Sequence, residues 1–180
     1  MLRIIGGAAK GRRLRTPQSG TRPLTGRARE ALFSSLGPGI AGASVLDLYA
    51  GSGSLGLEAL SRGAAQARFV ELSTEAGDML RANVAAVGLG GEVVVEDVAR
   101  FVGNDDGVYD LVFVDPPYAD PAAAVDSVLA ALRNRVQPGG TVVVHRRTGG
   151  VQPTVEFPAE VGRRQYGDAT LYLFHRDPEP

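Results

Sequence analysis

The 180-residue chain contains no cysteine, no tryptophan, only two histidines and no apolar run that approaches a membrane span. Without cysteine, disulfides, thiolate catalysis and zinc sites of the cysteine type are excluded. His145 and His175 stand neither at ligand spacing from one another nor beside a serine motif. No metal is therefore expected, and both histidines read as satisfied strand-end residues rather than a catalytic pair. A membrane-spanning helix needs about 20 apolar residues. The start, MLRIIGGAAKGRRLRTP, places apolar before basic residues and lacks the apolar core of a secretory signal. A cytoplasmic protein with no membrane partner is the expectation.

Net charge is also scarce, at -1, but it conceals an asymmetry. Residues 1–33 carry eight cations, Arg3, Lys10, Arg12, Arg13, Arg15, Arg22, Arg27 and Arg29, against the single acid Glu30, for +7. The remainder carries eleven basic and nineteen acidic residues, for -8. A basic arm on an acidic body suits a protein that grips phosphates with one part and does something else with the other; a solvated basic tail fits the same charges. The composition, 44% hydrophobic and 22% charged, is that of an ordinary globular chain large enough to bury a core. The division expected is a basic arm over 1–24, one domain over 25–176 and a frayed tail over 177–180.

After the arm, TGRAREALFSSLG has a capping Thr25, apolar spacing at Ala28, Leu32 and Leu36, and a Gly37-Pro38 stop, which predicts a helix. Strands and helices then alternate: ASVLDLYA, SLGLEALSRG, ARFVEL, TEAGDMLRANVAAVG with Ala76, Leu80, Val84 and Val87 on one face, EVVVE, a short helical turn near Arg100 to Val102, YDLVFVD, PAAAVDSVLAALRNR, and TVVVHR after the turn signal Pro138-Gly139-Gly140. Strands written as continuous Val, Leu and Phe are buried on both faces. They belong in a doubly wound, mostly parallel α/β sheet. PTVEFP and ATLYLFHR, with no helix between them, are expected to pair antiparallel as a C-terminal hairpin at the sheet edge, for seven strands in all.

The first strand runs into DLYAGSGSLG, with glycines at 51, 53 and 56, and Glu71 ends the next strand. A G-x-G-x-x-G between strand and helix, followed by an acid at a second strand end, points to a nucleoside-bearing cofactor. Asp47 lies at the strand end before the loop, where it repels a diphosphate and attracts a cationic amino acid or sulfonium. Asp97 ends a third strand, where it can accept from an adenine amine or simply cap a helix. Three acids at successive strand ends suit S-adenosylmethionine, whose amino group, ribose hydroxyls and adenine amine all donate. A fourth strand delivers Asp115-Pro116-Pro117-Tyr118. If Asp115 and the Pro116 carbonyl accept the two hydrogens of an exocyclic amine, its lone pair turns toward the methyl group. The prolines stiffen that carbonyl, and Tyr118 offers a face for the displaced base. A stiff turn with a rim aromatic is the plainer reading.

DLYAGSGSLGLEALSRG together with VFVDPPY resembles the amino-methylating class I S-adenosylmethionine-dependent methyltransferases. RIIGGAAKGRRL followed by TRPLTGRAREALFSSL narrows the resemblance to the bacterial 16S ribosomal RNA guanine-N2 methyltransferases that modify position 966, in the loop of helix 31. That resemblance implies a class I methyltransferase sheet, with Gly51 and Gly53 under the cofactor, Glu71 on its ribose and Asp97 on its adenine; Asp47, Ser52, Leu72 and Val98 complete the cofactor site. It places Asp115, Pro116, Pro117 and Tyr118 around the target amine. Arg22 to Glu30 would cover the cofactor and, with the arm cations, touch 16S RNA or a small-subunit assembly particle. A monomer is expected. The alternatives are an adenine-N6 methyltransferase on DNA or another RNA, an NAD-dependent oxidoreductase, and a non-catalytic RNA-binding module.

Overall fold

The computed structural model describes residues 1–16, 24–150, 152–154 and 159–178. Seven strands form one sheet in the order β3-β2-β1-β4-β5-β7-β6. The parallel strands are β1 (Ser44–Leu48), β2 (Gln66–Glu71), β3 (Glu92–Val95), β4 (Tyr109–Val114) and β5 (Val136–Arg147). β6 (Ala159–Tyr166) and β7 (Ala169–His175) are antiparallel, with β6 at the edge. The helices are α1 (Gly26–Leu36), α2 (Ser54–Ser61), α3 (Thr74–Val87), α4 (Val98–Asn104) and α5 (Ala122–Ala131). The sheet is the expected doubly wound, mostly parallel one of seven strands with an antiparallel C-terminal hairpin, and it carries an apolar cluster on each face. One cluster joins Phe69, Phe113 and Leu171 to Leu32, Phe33 and Leu57. The other joins Leu46, Leu48, Val112 and Val114 to Phe101, Val125 and Leu132.

Local chemistry sets the helix ends, at Thr25 as expected. Thr25 Oγ1 accepts from Ala28 N at 3.2 Å to cap α1, and Ser73 Oγ accepts from Ala76 N at 3.3 Å to cap α3. Gly88, at φ 74, closes α3 in the left-handed conformation. Three expectations are corrected. The buried face of α3 keeps Leu80 and Val87 but adds Gly77 and Asn83, while Ala76 and Val84 are only half-buried. The helix lies so close to β3 that a Cβ on Gly77 would stand 2.5 Å from Val95 Cγ2. Asn83 can be buried because its amide donates to Ser52 O and Arg15 O and accepts from Arg15 N. Pro138-Gly139-Gly140 does not precede a strand but bulges within β5: the partner jumps from Val136 to Thr141 while β4 advances only from Tyr109 to Leu111. The hairpin partner of β7 is Ala159–Tyr166, not PTVEFP, of which residues 155–158 lie outside the described residues. Residues 179–180 of the expected tail lie outside them too.

The N-terminal segment is a folded part of the body rather than a loose arm. Arg3 and Arg13 form an antiparallel bridge, with Ile4 N donating to Arg12 O at 2.9 Å and Leu14 N to Leu2 O at 3.0 Å. Ile4, Ala9, Leu14 and Leu24 are all buried in the same cluster as α1 and α2. Glu58 of α2, fully buried, accepts from Ile5 N at 2.7 Å, Gly6 N at 2.8 Å and Arg62 Nε at 2.7 Å. Gly7, at φ 75, approaches the end of α2 so closely that a Cβ would sit 1.7 Å from Ser61 O. The second glycine of RIIGG is thus a docking requirement.

Glu58→Ala strands two backbone donors, each costing roughly 1–3 kcal/mol. A lower urea midpoint is expected, with loss of hydrogen-exchange protection at Ile5 and Gly6; unchanged protection there contradicts the docking.

Candidate active-site crevice

The site is built by strand register. Leu48 pairs with Val70 and with Val114, and Val114 pairs with Val144. The residues one step beyond, Glu71, Asp115 and His145, therefore share one row at the carboxyl ends of the strands, where ligands of open α/β sheets lie. Because side chains alternate along a strand, these three and Asp47 project to the same face.

Between β1 and α2, the loop reverses through Tyr49, a non-glycine residue at φ 59, then Gly51 at φ 54 and Gly53 at φ 74. Its glycines have different reasons. A Cβ on Gly53 would meet Leu80 Cδ1 at 2.4 Å, and one on Gly56 would meet Phe69 Cε1 at 2.4 Å; both permit close packing of helix on sheet. A Cβ on Gly51 would meet nothing nearer than Tyr49 O at 3.9 Å, so the loop leaves open space on that side. Glu71 braces the loop from below, accepting from Gly51 N at 2.9 Å through Oε2 and from Ser73 N at 3.0 Å through Oε1.

Asp47 is not a ligand-facing group. It is 2% exposed, and Oδ2 accepts from Gly56 N at 2.9 Å, tying β1 to α2. Burial pushes its carboxyl well above the usual range; the Gly56 donor opposes this, while Asp115 and Glu71 add to it. Its reach into the crevice is electrostatic. Ser52 is likewise buried, and Val98, the first residue of α4, is buried in the core. Asp97 is exposed and caps α4, accepting from Arg100 N at 2.9 Å through Oδ1, which leaves Oδ2 available. Leu72, 66% exposed at the rim, is an apolar group with nothing of its own to cover it.

Asp115 follows β4 with its side chain 22% exposed. Its Oδ1 lies 2.6 Å from Nδ1 of His145, and Oδ2 has no hydrogen-bond partner among the described residues. Pro116 is buried, Pro117 exposed and Tyr118 half-buried. Burial, then the Asp115 carboxylate, pushes the Tyr118 hydroxyl's pKa up, so the phenol stays protonated at neutral pH. The loop that carries them is clamped by Arg146, 7% exposed, whose guanidinium donates to Asp120 O at 3.1 Å and reaches Pro117 O at 3.5 Å. Neither His145 nor Arg146 was among the expected site residues. The signal for His145 was present: VVVH in β5 stands beside VFVD of β4, so the same register that delivers Asp115 delivers the imidazole.

Of the expected RNA-contacting cations, Arg3, Lys10, Arg12, Arg13, Arg15 and Arg27 are exposed, and Arg22 lies outside the described residues. Arg29 is a correction. It is 2% exposed and donates to Arg3 O at 2.8 Å, holding the N-terminal segment against α1; burial lowers its pKa, opposed by Glu58. No group of three or more metal-ligating side chains occurs among the described residues. No described helix is long and apolar enough to cross a membrane.

Comparison with known proteins places this arrangement among relatives. The family model described as conserved hypothetical protein 95 matches residues 2–175. Ribosomal RNA small subunit methyltransferase D of Escherichia coli is 46% identical over 119 residues, 65% of this chain and 60% of that protein, so the match spans less than two thirds of its length. The protein of the same name from Haemophilus influenzae is 35% identical over 149 residues, 79% of this chain and 77% of its own. Among solved structures, yhhF from Escherichia coli superposes with a TM-score of 0.86 at 34% identity, covering 99% of both chains.

The raised Asp47 carboxyl fixes a pH dependence. The folded chain keeps that proton at pH values where the unfolded chain has lost it, so this group's contribution to stability declines as pH rises from about 4 through its folded-state pKa. Asp47→Asn retains an oxygen for Gly56 N and removes the decline. Its denaturation midpoint is expected above wild type at pH 7, the gap closing toward pH 4. A variant less stable than wild type at pH 7 contradicts the burial effect.

Proposed function

The chain belongs to the conserved hypothetical protein 95 family, and from that premise and the geometry of its crevice we propose that it transfers a methyl group from S-adenosylmethionine to ribosomal RNA. The acceptor in this reading is the exocyclic N2 amine of a guanine in 16S RNA, in the helix 31 loop at position 966. Asp115 carries the proposal. It is a carboxylate with one oxygen held and the other open, at the end of β4 beside the glycine loop.

The residues present fit the cofactor. Glu71 and Asp115 place negative charge at one end of the sheet, and each of them, after burial, raises the pKa of the Asp47 carboxyl beside them. A sulfonium offsets that charge; a dinucleotide's diphosphate adds to it. Gly51 leaves room for a close approach, Asp97 retains an oxygen for an amino donor, and Leu72 offers an apolar surface to a flat base. When bound, S-adenosylmethionine supplies an electrophilic methyl on a positively charged sulfur.

The protein's own contribution is to prepare the nucleophile. A guanine amine is a poor nucleophile because its lone pair is delocalised into the ring. Asp115 Oδ2 and the Pro116 carbonyl, which accepts no hydrogen bond among the described residues, can take its two N–H groups and turn the lone pair outward. Asp115 then takes the proton that the amine releases as its new bond forms. Tyr118, protonated and half-buried, supplies a stacking face. The exposed cations of the docked N-terminal segment serve phosphates on the substrate.

Asp115→Ala is expected to lower single-turnover methylation of a 16S RNA substrate on the order of a hundredfold or more, with S-adenosylhomocysteine affinity nearly unchanged by calorimetry. Full activity in the variant overturns the assignment. Replacing Lys10, Arg13 and Arg15 with glutamine should reduce the slope of log K against log salt by roughly 0.7 to 0.9 for each phosphate no longer held. An unchanged slope in filter-binding assays removes this surface from the RNA interface.

A further inference from the structure

His145 has no role in the chemistry described so far, yet it is 3% exposed with both ring nitrogens engaged. Nδ1 lies 2.6 Å from Asp115 Oδ1, and Nε2 lies 3.4 Å from the Tyr118 hydroxyl, whose ring meets the imidazole edge-on with centroids 5.7 Å apart. The direction of each bond follows from the tautomer that suits both partners. With its hydrogen on Nδ1 the imidazole donates to the carboxylate oxygen and accepts at Nε2, so the Tyr118 hydroxyl is the donor there.

We propose that His145 is a positioning residue that braces the amine-accepting carboxylate to the base-stacking ring. By occupying Oδ1, it fixes the rotation of the Asp115 carboxyl group and leaves Oδ2 as the acceptor for the substrate amine. By accepting from Tyr118, it sets the angle of the aromatic face relative to that acceptor. The distance between where the base stacks and where its amine is held is then determined by a rigid side chain on a central strand instead of by the loop alone. The Val114 to Val144 pairing makes the brace possible, since it sets Asp115 and His145 side by side on one face. Arg146, the next residue, steadies the same loop from its backbone through Asp120 O and Pro117 O.

The brace serves the methyl transfer proposed above, so its test has one arm that needs no activity. Nitrogen-15 NMR of the full-length protein should show the Nδ1–H tautomer at His145 and a shift toward Nε2–H in Asp115→Ala. An Nε2–H tautomer in wild type, or no response to Asp115→Ala, overturns the brace. In single-turnover assays on 16S RNA, His145→Leu is expected to lower kcat about tenfold or more, with S-adenosylhomocysteine affinity, RNA KM and Tm little changed. His145→Asn, whose amide can donate to Oδ1, should recover most of that loss. Tyr118→Phe should slow wild type severalfold yet add nothing to His145→Leu, as expected of groups acting through one link. Wild-type kcat in His145→Leu, loss of cofactor affinity and Tm in step with kcat, no recovery by Asn, or a Tyr118→Phe effect that multiplies with His145→Leu each overturn it. A wild-type protein that has the Nδ1–H tautomer but methylates no RNA contradicts the proposed function while upholding the brace.

Discussion

The parallel pairing that sets Val70, Leu48, Val114 and Val144 in one row across β2, β1, β4 and β5 is the constraint on which the site depends. Four polar groups of the crevice are placed by their offset from that row. Glu71, Asp115 and His145 stand one residue past it and Asp47 one residue short, so all four project to the same face. A one-residue slip of β4 would turn Asp115 to the other face and bury it against α5. The apolar runs of these strands hold the register because both faces are packed, so the core and the site have a single origin.

The same end of the sheet is electrostatically costly. Three carboxyl groups gather there, and they are held by backbone N–H groups of Gly51, Ser73 and Gly56 and by an imidazole, with no lysine or arginine paired to Asp47 or Glu71 among the described residues. Tyr49 sits at positive φ in the loop above them, and its hydroxyl pKa is pushed up to about 12 by burial and by Asp120 and Asp97. Strain and unpaired negative charge in one place are what a site that receives a cation and an amine requires, and a stability-optimised sheet end would carry neither. The docked N-terminal segment counterbalances this through Glu58, which joins it to α2, and it presents its cations outward on a rigid base.

The alternation of elements, the doubly wound sheet and the acids at strand ends were legible because each is written locally, in apolar runs, caps and glycines. What was not legible depends on partners distant in sequence. Asp97 read equally as a cap or a ligand, and it does cap α4 while keeping one oxygen. Asp47 looked like a ligand group because its sequence position is that of a strand end; only the proximity of Gly56 shows that it faces a helix. Arg29 counted as one more cation until Arg3 O and Glu58 enclosed it. Residue 83 is polar on a helix whose apolar spacing passed over it, and the structure buries it because Arg15 and Ser52 supply its hydrogen bonds. His145 was set aside for want of a sequence neighbour, whereas its partner is 30 residues away on the adjoining strand.

The central claim is that Asp115, braced from beside and facing an acidic, loop-capped crevice, presents the exocyclic N2 amine of a guanine in ribosomal RNA for methylation. The most direct measurement is to incubate the protein with 16S RNA and S-adenosylmethionine carrying a labelled methyl group, digest the product and identify the labelled nucleoside by mass spectrometry. The account predicts the label on N2-methylguanosine alone. Label on adenosine, on a ring carbon or on a ribose hydroxyl contradicts it.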